Sequence, residues 1–118
     1  MSTTATTPPV IASSAQAHAA AARLATEIRV GVVERDANRA VPYGPLRALR
    51  ESGLLGITVP PEYGGAGADR GTVTEIFRLI ATADPAVAQI PQAHFGVIEA
   101  LKASGSEAQQ QRFFSAAL

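Results

Sequence analysis

His94 is one of two histidines in a chain of 118 residues, and it stands in the run QIPQAHF, just after Pro91 and among Gln89, Gln92 and Phe95. An imidazole titrates near neutral pH, so a positioned histidine can take up or release a proton where most side chains cannot. A proline a short way into a helix deletes one backbone hydrogen bond and clashes with the carbonyl four residues back. The helix expected from residue 86 to about 104 should therefore kink between Val87 and Pro91. A kinked helix can aim side chains and a freed carbonyl into a cavity. On this reading His94 is the candidate catalytic residue, Gln89 and Gln92 are candidate substrate hydrogen-bonding groups on one helix face, and Phe95 is a wall of the same pocket. The bland reading makes His94 a surface or satisfied interior histidine, the glutamines solvated and Phe95 core; spacing alone does not separate the two.

Other residues have less claim to chemistry. The loop Pro61-Glu62-Tyr63-Gly64-Gly65 has glycine amides that could cradle an anion. A nucleotide loop should follow a buried strand and open a helix within a strand-helix-strand unit, and no second strand is expected, so the loop reads as a structural turn. Glu99, alone in mid-helix, reads as solvated, and His18 reads as a surface position on an alanine-rich helix. The chain has no cysteine, which excludes disulfides and thiolate chemistry. With two distant histidines a zinc site would need carboxylates to complete it, so no metal is expected.

The elements that must carry these residues are helices. From Ser13 or Ser14, either a sound N-cap, residues to about 39 read as one long helix, with Ala17, Ala21, Leu24, Ile28 and Val32 as its apolar stripe and Arg23, Glu27, Glu34 and Arg35 outside it. Gly31 should weaken that helix by only ~1 kcal/mol. Leu46 and Leu49 begin an apolar face that Leu54, Leu55 and Ile57 continue past Gly53, a residue suited to the left-handed position of a Schellman motif. Pro60-Pro61 then ends the segment extended. Thr72-Val73-Thr74-Glu75 has capping-box form, with Val73, Ile76, Phe77, Ile80 and Ala83 as a helical face. Asp84-Pro85 combines N-cap and first helical position. Gly105 and a second capping box, Ser106 to Gln109, lead to a last helix with Phe113, Phe114, Ala117 and Leu118 as its apolar face. That face is still running at the last residue, which reads as a longer protein cut short.

Length and composition bound the rest. The chain suffices for one domain, expected over 13–118 with a disordered tail over 1–12. Ten basic and ten acidic residues balance and are scattered, which disfavours nucleic acid as a partner. No apolar run approaches the ~20 residues of a membrane span, and the N-terminus lacks a basic signal region, so a cytoplasmic protein without a membrane partner is expected. The fold class is all-α, an up-and-down bundle of about four to five helices.

The ordered set LRESGLLGITVPPEYGGAGAD, TEIFRLIATADP and QIPQAHF resembles the N-terminal domain of the acyl-CoA dehydrogenase superfamily over about 35–118. The Ala-Asp-Pro, Gln-Ile-Pro-Gln and His-Phe steps are closer to its flavin-dependent monooxygenase branch. The resemblance implies a three-domain enzyme that is a homo-oligomer, a tetramer, with a flavin (FAD or reduced FMN) held mainly by domains absent from this chain. It also implies that His94 lies near flavin and substrate, and that the complete enzyme oxygenates a small organosulfur compound, acyl-CoA dehydrogenation being the alternative. The carboxylate base of true acyl-CoA dehydrogenases belongs to a domain this chain lacks. From another class, a non-catalytic helical interaction module docking through its last helix also fits.

Overall fold

A computed structural model describes residues 7–118. Among the described residues the chain is all-α, with seven helices: α1 Ser14–Arg29, α2 Val32–Ala37, α3 Tyr43–Glu51, α4 Arg70–Ala83, α5 Pro85–Gln89, α6 Gln92–Ser104 and α7 Glu107–Ala117. Two of the expected helical runs are broken, which raises the count. The long first helix ends at Arg29 because Gly31 adopts a left-handed φ of 77°, a conformation glycine enters without steric penalty. The run after Asp84 is split around Ile90 and Pro91 into α5 and α6, a break rather than a kink.

The main core is built where α1 lies on α4. Ala17, Ala21, Leu24 and Ile28 meet Ile76, Ile80 and Ala83, joined by Leu49, Leu54, Ile57 and Val87. The alanines keep the helices close, as small residues at a helix contact allow. The expected tail of residues 1–12 is described only in part, since 1–6 lie outside the described residues; within the described part, Ile11 is buried in this core. A smaller cluster of Val59, Ile98 and Phe114 is packed by Tyr63, Leu101, Ala117 and Leu118, and it holds α6 and α7 to the loop after α3.

The caps differ from the expectation in instructive ways. Gly53 is left-handed, with φ 82°, but the Schellman bond is replaced by a side chain. Ser52 Oγ donates to the Leu49 carbonyl at 2.6 Å and accepts from the Leu54 amide at 3.1 Å. α4 starts before the expected Thr72 box: Asp69 is its N-cap and accepts from the Thr72 amide at 2.8 Å, while Thr72 itself is buried. The second capping box is formed by Ser106 and Gln109. The stretch Ile57 to Val59 forms no strand; it receives the glycine-rich loop, whose Gly67 and Ala68 amides donate to the Val59 and Ile57 carbonyls at 2.9 and 2.8 Å. A Cβ on Gly65 would sit 2.1 Å from the Val59 oxygen, so the loop can close only with glycine there.

Arg35 is not outside the bundle. Its guanidinium donates to the Ile28 and Val30 carbonyls at the end of α1 and reaches Asp84 Oδ2 at 3.0 Å. Asp84, 4% exposed, also accepts at Oδ1 from the Ala86 and Val87 amides that open α5. The Gly31 break is what turns Arg35 back to this position, a consequence that helical periodicity through the glycine could not show.

Asp84→Ala removes the two capping hydrogen bonds of α5 and the ionic partner of a mostly buried guanidinium, and should cost roughly 3 kcal/mol; Asp84→Asn keeps an acceptor for the cap and should cost about half as much. Urea unfolding of both variants checks the order. At α4, the Thr72 amide holds the Asp69 carboxyl below its ordinary value of 3.8. A depressed folded value means the ionised cap stabilises the fold above about pH 3.8 and is lost as pH falls through the folded value. Asp69→Asn should therefore melt lower than the parent at neutral pH and converge with it in acid, as thermal melts across pH will show.

Candidate functional site

The site is assembled where α6 passes the turn that follows α3. After the break at Ile90 and Pro91, the Pro91 carbonyl accepts from the Phe95 amide at 3.2 Å and α6 begins afresh. His94 and Phe95 lie in its first turns and are both partly buried. His94 Nε2 lies 2.6 Å from the carbonyl oxygen of Leu55, in the short 3-10 turn Leu54–Gly56. The His94 and Phe95 rings meet edge-to-face at 5.3 Å between centroids, and Phe95 meets Phe77 of α4 in the same manner at 5.5 Å. Such pairs favour a fixed mutual orientation beyond the area they bury.

Two open grooves flank this ring stack. One, of about 350 Å³, is lined by Val73, Thr74, Phe77, Gln92 and Phe95. The other, of about 220 Å³, is lined by His94, Val97, Ile98, Leu101 and residues of α7 that include Phe113. Neither is lined by a lysine, an arginine or a carboxylate. Both are suited to apolar or aromatic surface.

The structure brings Gln92 and Phe95 together in the first groove, and joins His94 to them through the Phe95 ring. Gln89 stands apart: it is exposed at the end of α5 and lines neither groove. The break explains the separation, because the spacing that put both glutamines on one face assumed a helix continuous through Pro91. Phe77, Val73 and Thr74 were missed as groove residues. Val73 and Phe77 sit at the edge of the α4 apolar face, half-buried beside the fully buried Ile76 and Ile80, and that position at the margin of the stripe was the available signal. The Leu55 carbonyl is backbone and carries no signal in residue type.

The remaining candidates are accounted for locally. Tyr63, in the short turn Pro61–Tyr63, donates to Gln110 Oε1 at 3.0 Å and stacks edge-to-face on Phe114, so its loop is a packing device. Glu99 is exposed and pairs with Lys102 at 2.9 Å. His18 is partly buried on α1 rather than a free surface position. Among the described residues no cluster of metal-ligating side chains occurs, and no helix is long and apolar enough to cross a membrane.

Comparison with known proteins bears on this arrangement. The family "Acyl-CoA dehydrogenase, N-terminal domain" matches residues 13–118. A dibenzothiophene monooxygenase of Rhodococcus erythropolis is 36% identical over 97 residues, which is 82% of this chain and 23% of the relative. A 3-sulfinopropanoyl-CoA desulfinase of Paraburkholderia xenovorans is 37% identical over 100 residues, 81% of this chain and 25% of the relative. A probable acyl-CoA dehydrogenase of Mycobacterium bovis is 31% identical over 84 residues, 70% of this chain and 13% of the relative. This chain thus spans a quarter or less of the length of these relatives. No solved structure matches it. With its all-α fold and this match over nearly all its described length, the chain belongs to the acyl-CoA dehydrogenase N-terminal domain family.

Proposed function

We propose that this domain forms one wall of the flavin and substrate pocket of a flavin-dependent oxidoreductase, and that the complete enzyme oxygenates a small organosulfur compound. The observation that carries the reading is the ring stack of His94, Phe95 and Phe77 beside two apolar grooves, in a chain 36% identical to a dibenzothiophene monooxygenase. A flat heteroaromatic substrate would be held there by Phe95 and Phe77, with Gln92 at the rim of the groove as a hydrogen-bonding group. Gln89 is too far round the helix break to share that groove.

The grooves fit part of a flavin and not the whole. Apolar walls and aromatic edges suit a ring system, whereas nothing basic lines either groove to meet a phosphate. His94 in the one groove, and Phe95 and Gln92 in the other, are thus the residues of this chain that would meet flavin and substrate between them, and the flavin phosphate would be met by other parts of the protein. Bound there, a reduced flavin would supply the electrons and the oxygen-activating ring. His94 contributes a titratable nitrogen beside it and, with Phe95, helps to exclude water. The homo-oligomeric assembly implied by the resemblance, and the cytoplasmic location expected from the sequence, are part of the same proposal.

Oxidation of an acyl-CoA thioester is the second reading, and it is favoured by the two relatives whose names include CoA chemistry. A helical docking role is favoured by the exposure of Val97 and Phe113, which line the second groove between α6 and α7.

The 118-residue chain titrated with FAD or FMN should show no tight stoichiometric binding and no turnover; tight binding with turnover would overturn the claim that the pocket is only partly contained here. In an active protein containing this domain, His94→Gln keeps an amide donor within reach of the Leu55 carbonyl but removes the titrating nitrogen. Turnover should then fall roughly 100-fold with little change in melting temperature. Steady-state kinetics beside a thermal melt measures both.

A further inference from the structure

We infer that Nδ1 is the working atom of His94 and that the backbone carbonyl of Leu55 is the group that makes it so. This rests on the reading of His94 as a pocket residue and adds to it the tautomer and the direction of proton movement. A carbonyl oxygen can only accept, so the 2.6 Å approach of Nε2 requires that nitrogen to carry the hydrogen. In the neutral ring the other nitrogen, Nδ1, is then the acceptor, and the bond made by one ring nitrogen sets the role of the other. Among the described residues nothing else hydrogen-bonds to the His94 ring, which lines the groove beside Val97 and Ile98.

The carbonyl is itself held in place. It belongs to the turn Leu54–Gly56, and Gly56 is buried against the end of α7, where an added Cβ would lie 3.0 Å from Leu118 Cδ2 and 3.1 Å from the Ala117 oxygen. Ser52 fixes the start of the turn through the Leu54 amide. The edge-to-face contact with Phe95 also restricts the ring. His94 is therefore held by an acceptor at Nε2 and an aromatic wall, with Nδ1 left to meet an O–H or N–H group of the pocket occupant. When it takes that proton, an Nδ1–H bond forms and the donor's bond to hydrogen breaks. The ring gains one positive charge, the donor loses one, and the Nε2–H bond to Leu55 persists and strengthens because its donor is now charged. Leu55 and Gly56 act as positioning residues in this scheme, and His94 alone transfers the proton.

The test uses the 118-residue chain labelled with nitrogen-15, with the two histidines told apart by the His94→Gln variant. With the ring neutral, long-range proton–nitrogen correlations should show His94 as the Nε2–H form, and a limiting amount of diethyl pyrocarbonate should acylate His94 at Nδ1. Gly56→Ala, which crowds the turn against α7, should raise the fraction of the Nδ1–H form. An Nδ1–H ring, an even mixture of the two forms in the parent chain, or acylation at Nε2 overturns the inference. So does a tautomer ratio unmoved by Gly56→Ala in a variant that folds. These readouts need no flavin and no turnover, so their failure is distinct from a failure of the pocket assignment, which the kinetics of His94→Gln would expose.

Discussion

Asp84 is the point on which the arrangement of helices depends. A carboxylate is buried only if its charge and lone pairs are met, and here one oxygen caps the first amides of α5 while the other receives Arg35. Arg35 in turn donates to the last carbonyls of α1. Charge satisfaction thus joins the end of α1, the short α2 and the junction between α4 and α5. The direction in which α5 leaves α4 is set by this exchange, and the position of the break at Pro91, and of His94 beyond it, follows from that direction.

The consequence for the site is a division of labour between cap chemistry and packing. Asp69, Asp84 and Ser106 say where helices begin, and each does so by accepting backbone amides that have no partner within the helix. Apolar surface then decides which helix faces which. The site occupies neither a cap nor the core. His94, Phe95, Phe77 and Val73 all lie at the margin between buried and exposed surface, where a ring can be oriented by the core and still meet a ligand. A marginal position is costly to leave uncovered only when it is broad, and these grooves are narrow and open.

Much of this was legible in the residues. The stripe Ala17, Ala21, Leu24 and Ile28, the face of Ile76, Ile80 and Ala83, the Asp84-Pro85 junction and the Ser106 box appear in the structure in the roles their spacing implied. The family was legible too, through an ordered set of short motifs none of which is specific alone. What was not legible depended on where the chain turns back on itself. Gly31 read as a mild weakening and proved a break, because left-handed geometry is a choice made by the tertiary fold. That break carried Arg35 inward to a partner far along the chain, Asp84. Likewise Gln89 and Gln92 were grouped by assuming helical continuity through Pro91. The Leu55 carbonyl that orients His94 could not be read from side chains at all.

The two clusters of apolar residues differ in size, and that inequality bears on motion. Val59, Ile98 and Phe114 form a small knot apart from the large core around α1 and α4. Gln110 bridges Tyr63 and the Leu101 carbonyl across that knot at 3.0 and 2.8 Å. A region with few apolar contacts opens at lower free energy than the global unfolding of the chain. The C-terminal helical pair should accordingly exchange its amide hydrogens as one cooperative unit ahead of the rest. The tether between His94 and Leu55 is one of the stitches across that seam, beside the contact of Phe95 with Phe77.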